Sequence, residues 1–288
     1  MNYDFHEQLE RYMKERNVTD ENEAQKVLDE FIEKYNNKEL EPLDTPMSKA
    51  YDLLEEAERA TSIKKRLSLV EKAIETCPEC VDAHLAYLEF IEDPFKIESY
   101  LLKVVEDEKK RLEKEGYFTE ENIGHFYGIF ETRPFMKALQ ALTVLYLQSG
   151  KYQKALLVAK EMIRLNENDN LGARFLLFGL YAFMEDEKAL DSLKEKYEYE
   201  DLHSLVAYLA LAFKKSEYEK AKTYLAKIKK ANKNLIKYFQ KKNLSSDVSP
   251  GYYRPGDASE VYVLVTEFGF LFDSTPLLAE YIAREGKI

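Results

Sequence analysis

Two cysteines and four histidines are the side chains of this 288-residue chain best suited to catalysis or metal binding. Cys77 and Cys80 form a C-x-x-C motif, which occurs in redox sites and in zinc sites. A redox site needs a helix N-terminus that stabilises the thiolate, and a zinc site needs two further ligands at close spacing. The sequence contains no second C-x-x-C motif. We therefore interpret both residues as packing cysteines within a turn.

The histidines, at positions 6, 84, 125 and 203, are dispersed and do not share a spacing typical of metal ligands. The sequence also lacks a phosphate-binding loop, a dinucleotide fingerprint and a G-x-S-x-G motif. We therefore expect no catalytic residues, no metal site and no cofactor, and we expect that the protein is not an enzyme.

Two polar motifs, ETRP and NDN-x-G-x-R, stand immediately before apolar helical patterns. Their candidate site residues are Glu131, Arg133, Asp169, Asn170 and Arg174. One interpretation is structural: Asn170 caps a helix, and Arg174 reaches back to Asp169 or Glu131. The other is a small anion or carboxylate site at the helix N-termini, with Arg133 and Arg174 as ligands.

The elements that position these motifs follow from an internal repeat of about 34 residues. In the clearest copy, residues 136–169, Leu139, Leu142 and Tyr146 lie on one face of a first helix. Gly150 permits the left-handed residue that ends this helix, and Ala155 is small where a second helix crosses the first. These spacings are those of the tetratricopeptide repeat.

Further copies begin at Asn170 and near Leu202, and earlier ones begin at Met47 and Val81. Gly and Pro, at 10 and 8 residues, are too scarce for the turns of an antiparallel β fold. The sequence therefore predicts an all-α, right-handed superhelical α-solenoid of tetratricopeptide helix pairs with extra N- and C-terminal helices.

Three segments are predicted along the chain. Residues 1–45 form an acidic N-terminal helical extension, with 13 acids and 6 bases. Residues 46–242 form the repeats, interrupted by 112–135, and residues 243–288 form C-terminal capping helices that cover the end of the stack.

Within these segments we expect two further helices. One is a short helix from about Thr119 in the interrupting segment, and the other runs from Asp257 through about Phe272.

The positions of the later first helices that face the inner surface of a solenoid form a candidate partner-binding groove. They are Gln140, Val144, Leu147, Arg174, Phe178, Tyr181, Val206, Phe213 and Lys214. Aromatic, aliphatic and basic side chains together suit a bound peptide segment. The alternative is that neighbouring helices of the same chain cover Phe178, Tyr181 and Phe213.

Charge is distributed unevenly in this chain of net charge −11. Residues 214–242 hold 11 Lys and 2 Glu, with interleaved aromatic residues that could stack on bases. This segment supports an alternative function, RNA or anion binding. The alternative is that the segment has no binding function and forms a solvated helix face, on which lysine is the commonest residue.

Three segments resemble a group of bacterial tetratricopeptide proteins of unassigned function. They are GHFYGIFETRPFMKAL (124–139), RLNENDNLGARFLL (164–177) and YYRPGDASEVYVLVTEFGFLFDSTPLLAEYI (252–282). That group is distantly similar to the suppressor-of-tumorigenicity-seven family. The resemblance covers roughly residues 46–285 and implies the helical solenoid and no established catalysis. The chain departs from the usual motifs of this group at four positions, Lys137, Glu167, Leu171 and Phe175.

The sequence contains no apolar run near the ~18 residues that a membrane helix needs, and its N-terminus is polar from residue 2. We therefore expect a cytoplasmic protein without a membrane partner. The leading function is a non-catalytic scaffold that binds a peptide or partner protein in the concave groove.

Overall fold

The structure is a computed structural model that describes residues 3–16, 21–41, 43–198, 200–241 and 253–287. Their regular structure is helical, and no β-strand occurs within these ranges.

The α-helices of the described residues are α1 (Tyr3–Glu15), α2 (Glu21–Asn36), α3 (Pro46–Arg59), α4 (Ile63–Thr76), α5 (Val81–Tyr87), α6 (Pro94–Lys114), α7 (Arg133–Gln148), α8 (Tyr152–Leu165), α9 (Ala173–Met184), α10 (Glu187–Lys196), α11 (Leu202–Lys214), α12 (Tyr218–Ala231), α13 (Asn234–Phe239), α14 (Ala258–Glu267), α15 (Gly269–Ser274) and α16 (Pro276–Glu285). A short 3-10 helix, Leu88–Phe90, follows α5.

The chain divides into two compact units, and the division falls within α7. The first unit comprises Met1–Asn122 and Phe126–Ala138, and the second comprises Ile123–His125 and Leu139–Ile288. The boundaries predicted at residues 45 and 242 are therefore not boundaries of compact units. The described part of the acidic extension belongs to the first unit, and the described C-terminal helices belong to the second.

Stacked helix pairs account for the packing inside each unit. In the first unit α3 packs on α4, α4 packs on α5, and α3 also contacts α5. In the second unit α9 contacts α8, α10 and α11, and α11 packs on α12. Helices α3 and α9 thus each touch their own second helix and the next first helix. This all-helical architecture is compatible with the predicted solenoid.

The repeat positions predicted from sequence form the helix crossings. Ala57, Ala155 and Ala221 are at most 4% exposed, and the predicted face of Leu139 and Tyr146 is buried. Small side chains at these crossings let the paired helices approach closely.

Local signals set the helix ends. Thr45 accepts a hydrogen bond at Oγ1 from the backbone N–H of Ser48 at 3.1 Å, and Pro46 is the first residue of α3. This cap and the proline at the first position confirm the predicted start of the earliest repeat.

The interrupting segment forms turns and two isolated β-bridges, so the short helix predicted from Thr119 is wrong. The Asn122 side-chain amide donates to the carbonyl of Tyr117 at 3.0 Å, and the Asn122 backbone N–H donates to Thr119 Oγ1 at 3.3 Å. Such local bonds compete with the helical hydrogen bonds. Gly124 has a φ of +99°, which is outside the helical region.

The helix predicted from Asp257 through Phe272 is two helices, α14 and α15, with Phe268 between them. Phe268 is fully buried, and its ring lies where a side chain on Gly179 of α9 would stand. The long-range contact with α9 therefore breaks the helix at this residue.

Replacement of Gly179 by alanine tests this packing. A Cβ at this position would stand 2.8 Å from Phe268 Cε1 and 3.1 Å from Phe270 Cζ. We expect a loss of about 1–3 kcal/mol in the free energy of unfolding, measured by urea denaturation, because overpacking displaces both rings.

Gly269→Ala is the matched control, since a Cβ there meets no atom within 4 Å and alanine favours a helix. Equal stability of the two variants would contradict the close packing of α15 on α9.

Candidate functional site

Asp169 and Arg174 form a structural unit at the start of α9. Asp169 is 5% exposed, and its carboxylate accepts hydrogen bonds from the backbone N–H groups of Ala173 at 2.7 Å and Arg174 at 3.1 Å. Arg174 Nη1 donates to the same carboxylate at 2.9 Å. Burial raises the pKa of Asp169, and the bonds from Arg174 and Ala173 oppose that rise. The predicted pairing of Arg174 with Asp169 is confirmed.

Asn170 does not cap this helix, which corrects the structural interpretation. The residue that precedes the helix is Gly172, with a φ of +71°, and the side chain that accepts from the first turn is that of Asp169. Asn170 is exposed. An aspartate at this place satisfies two backbone donors with one carboxylate, which the neutral Asn170 cannot match.

The other two residues of the predicted polar site, Glu131 and Arg133, belong to the first unit. Arg133 donates from Nε to the carbonyl of Tyr127 at 2.8 Å, and its guanidinium lies 5.7 Å from the ring centroids of Tyr127 and Phe130. Within the first unit the ETRP motif therefore holds its own loop.

The predicted groove of the second unit is filled by the C-terminal helices. Phe178, Tyr181 and Val206 are 1%, 7% and 0% exposed. Helix α15 packs on α9, where Phe268 and Phe270 lie against Gly179. These three groove residues are therefore core residues, as the alternative interpretation expected.

The remaining groove residues of the second unit also contact their own chain, apart from one. Gln140 donates to the carbonyl of Leu171 at 3.1 Å, and the Phe213 ring lies 5.2 Å from that of Tyr281. Leu147 is half-buried, and Lys214 pairs with Glu185 at 3.2 Å. Val144, at 39% exposure, is the exposed member of the set.

An open cleft of about 1110 Å³ lies within the first unit. Its walls come from α1, α3, α4, α5, α6, the segment 130–134 and the first turn of α7. The volume slightly exceeds the usual range for ligand pockets, roughly 300–1,000 Å³. Apolar side chains such as Leu54 and Phe90 alternate in the lining with charged ones.

Ion pairs order the charged lining. Asp82 of α5 accepts a hydrogen bond from Tyr51 of α3 at 2.7 Å and pairs with Lys137 of α7 at 2.9 Å. Glu108, at 4% exposure, forms a two-bond pair with Arg111 on α6, at 2.7 and 2.8 Å. These pairs fix side chains from four helices around the cleft.

Two carboxyl groups meet where α1 approaches the ETRP motif. The hydrogen bond from Lys14 lowers the pKa of Glu10. Burial raises the pKa of Glu131, and the adjacent Glu10 carboxyl adds to that rise. Burial therefore disfavours the charged form of Glu131, although a backbone hydrogen bond and the nearby Lys14 oppose this effect. His6, on the same helix, stacks on Phe130 at 4.8 Å between centroids, and burial lowers its pKa.

The two cysteines are buried and free. Both belong to the core cluster that also contains Ala50, Ala73 and Ala83. Burial raises the pKa of Cys77 and raises that of Cys80 to about 12. Both thiols therefore stay protonated at neutral pH, and their interpretation as packing cysteines is confirmed. Elsewhere in the described chain, no group of three or more His, Cys, Asp or Glu side chains is placed to hold a metal ion.

The lysine-rich segment 214–242, of which Lys242 lies outside the described residues, is partly neutralised. Five of its lysines pair with glutamates: Lys214 with Glu185, Lys215 with Glu187, Lys220 with Glu217, Lys222 with Glu219 and Lys227 with Glu200. The Tyr224 ring stacks on Tyr208 at 5.3 Å. RNA or anion binding here stays a prediction that no contact in the segment favours.

Comparison with protein-family models, with curated proteins and with solved structures finds no match to this chain.

None of the helices that the structure describes combines the length and the apolarity needed to cross a membrane.

The cleft residues were missed because the inward-facing positions were assigned only in the later repeat copies. In the copy that begins at Met47, the residues equivalent to Gln140, Val144 and Leu147 are Tyr51, Glu55 and Glu58. All three line the cleft. The same alignment of repeats would have found them.

Replacement of Arg174 by alanine tests the unit at the start of α9. We expect a loss of about 1–2 kcal/mol in the free energy of unfolding, because Asp169 would stay buried with backbone donors only. Urea denaturation measures the change.

The control is Arg164→Ala, whose partner Glu161 is 36% exposed, so that the loss should be below about 0.5 kcal/mol. Equal losses in both variants would support a ligand role for Arg174 instead.

Replacement of Glu131 by glutamine tests the carboxyl pair. In the folded protein the pKa of Glu131 lies above its ordinary 4.5, so the charged form costs stability at pH values above the folded pKa. We expect the variant to melt higher at about pH 7, by on the order of 1–2 °C. The gain should shrink as the pH falls through the raised folded pKa and vanish about one pH unit below 4.5, where the wild-type carboxyl is protonated in both states.

Circular dichroism melts at the two pH values measure this difference. Glu106→Gln, at an exposed position on α6, is the control and should change neither melting temperature. A gain that persists at low pH would show that charge is not its cause.

Proposed function

We propose that the protein is a non-catalytic interaction scaffold that binds a peptide, or a peptide segment of a partner protein, in the cleft of the first unit. The open cleft of about 1110 Å³ carries this proposal. Tetratricopeptide helix pairs in a right-handed superhelix, as the repeat spacing predicts, would present such a concave surface. The resemblance to tetratricopeptide proteins supports the same class, and we propose that the scaffold acts in the cytoplasm.

The lining supports a peptide better than a small metabolite. Charged side chains from several helices are interspersed with aromatic and aliphatic ones, such as Tyr51, Leu54 and Val70. Peptide sites combine apolar pockets for side chains with polar groups at the rim. In the second unit, by contrast, the predicted groove residues Phe178 and Val206 are buried.

A variant that fills the cleft tests this function. Ala86 lines the cleft on α5 and is partly exposed, so Ala86→Trp would place an indole ring in the opening. Peptides selected against the wild-type protein from a random phage-displayed library should lose at least about tenfold in affinity for this variant, measured by fluorescence anisotropy.

Ile63→Trp is the matched control, because Ile63 is 74% exposed and outside the cleft lining. Its affinity for the selected peptides should equal that of the wild type. The proposed function fails if no selected peptide is sensitive to Ala86→Trp while both variants melt like the wild type.

A further inference from the structure

The cleft of the first unit is lined by more acids than bases, and its bases are already engaged. Ten carboxylate side chains and six basic side chains line it. Five of the six bases form ion pairs with carboxylates of the same unit. The sixth, Arg133, donates from Nε to the carbonyl of Tyr127 at 2.8 Å. Carboxylates thus balance five of the six positive charges of the lining.

Four lining carboxylates form no ion pair with a cation of the described chain: Glu7, Glu58, Glu79 and Glu131. Glu58 and Glu79 are exposed, whereas Glu7 and Glu131 are half-buried. The Oε2 atom of Glu7 is buried and has no hydrogen-bond partner within the described residues. The charges of these four carboxylates are therefore not balanced by a basic side chain of the described chain.

The carboxyl pair of Glu10 and Glu131 also contributes to the surplus of negative charge in the cleft. Burial and the Glu10 carboxyl both disfavour the charged form of Glu131. A further cation beside the pair, in addition to Lys14, would relieve this repulsion. Part of the surplus negative charge of the cleft thus lies at Glu10 and Glu131, where α1 approaches the ETRP motif.

Apolar side chains accompany these carboxylates. Leu54, Val70, Phe90 and Phe130 share the lining with them. Lysine and arginine carry apolar stems that pack on such surfaces while their charged ends reach carboxylates, and aromatic rings also attract these cations.

We propose that the cleft binds a peptide segment that bears lysine or arginine side chains, and that Glu7, Glu58, Glu79 and Glu131 receive its cations. This inference rests on the proposed function and names the chemistry of its partner. The surplus of carboxylates repels a nucleic acid, whose phosphates are negative. A metal ion lacks the apolar stems that the wall of Leu54 and Val70 would accept.

The first experiment compares the charge of the ligand. The probes are fluorescein-labelled peptides of leucine and lysine, with analogues in which glutamine or glutamate replaces every lysine. Fluorescence anisotropy with the full chain should show the lysine peptide binding at least about tenfold more tightly than the glutamine peptide, and the glutamate peptide not binding. The preference should weaken at high salt, because the carboxylates at the rim are exposed.

The second experiment changes the protein. Glu58→Gln with Glu79→Gln removes two exposed carboxylates of the lining. Glu71→Gln with Glu106→Gln removes two exposed carboxylates of the same unit outside it. Only the first double variant should lose affinity for the lysine peptide, by about tenfold, although both change the net charge equally.

Three outcomes would overturn the inference, each in a different way. If the glutamine peptide binds as tightly as the lysine peptide and Ala86→Trp abolishes both, the peptide scaffold stands and the charge preference is wrong. If both double variants lose affinity equally, the attraction is a general effect of net charge. If the chain self-associates without peptide in analytical ultracentrifugation, and Glu58→Gln with Glu79→Gln abolishes this, the occupant is a second copy of the chain.

Discussion

The close approach of helices at small side chains is the constraint on which the rest of the structure depends. Ala57, Ala73, Ala155 and Ala221 lie at the crossings of the helix pairs and are at most 4% exposed. A larger residue at any of them would separate two helices and change the inner surface that the pairs present. The cleft of the first unit exists because α3 and α5 lie side by side, and their contact depends on this spacing. Gly179 extends the same rule to the C-terminal helices, where the absence of a side chain admits Phe268.

Sequence reasoning predicted the parts of the fold that local periodicity determines. The helix pairs and the start of the repeat near Met47 follow from signals within a few residues. The break at Phe268 depends on a contact with α9, which no local pattern encodes. The turns around Thr119 were missed because the bonds of the Asn122 side chain outweigh a weak helical pattern.

The candidate site was predictable only in part, for a related reason. Repeat alignment assigns Tyr51, Glu55 and Glu58 to an inner face once it is applied to the earlier copies. It says nothing about α1, because a polar amphipathic helix outside the repeats carries no signal of where it packs. The role of Glu10 beside Glu131 therefore emerges only from the structure. Likewise, the sequence left open whether Phe178 and Tyr181 were exposed, since aromatic residues suit both a groove and a core.

The fold-back of the C-terminal helices onto α9 has a consequence for how the chain matures. All the residues of the first unit precede Leu139, so its contacts can form while the remaining chain is still being synthesised. The second unit cannot pack Phe268 and Phe270 on Gly179 of α9 until the last helices have left the ribosome. The nascent second unit thus carries an apolar surface for much of its synthesis, and a truncated chain that ends before α14 keeps that surface open to aggregation.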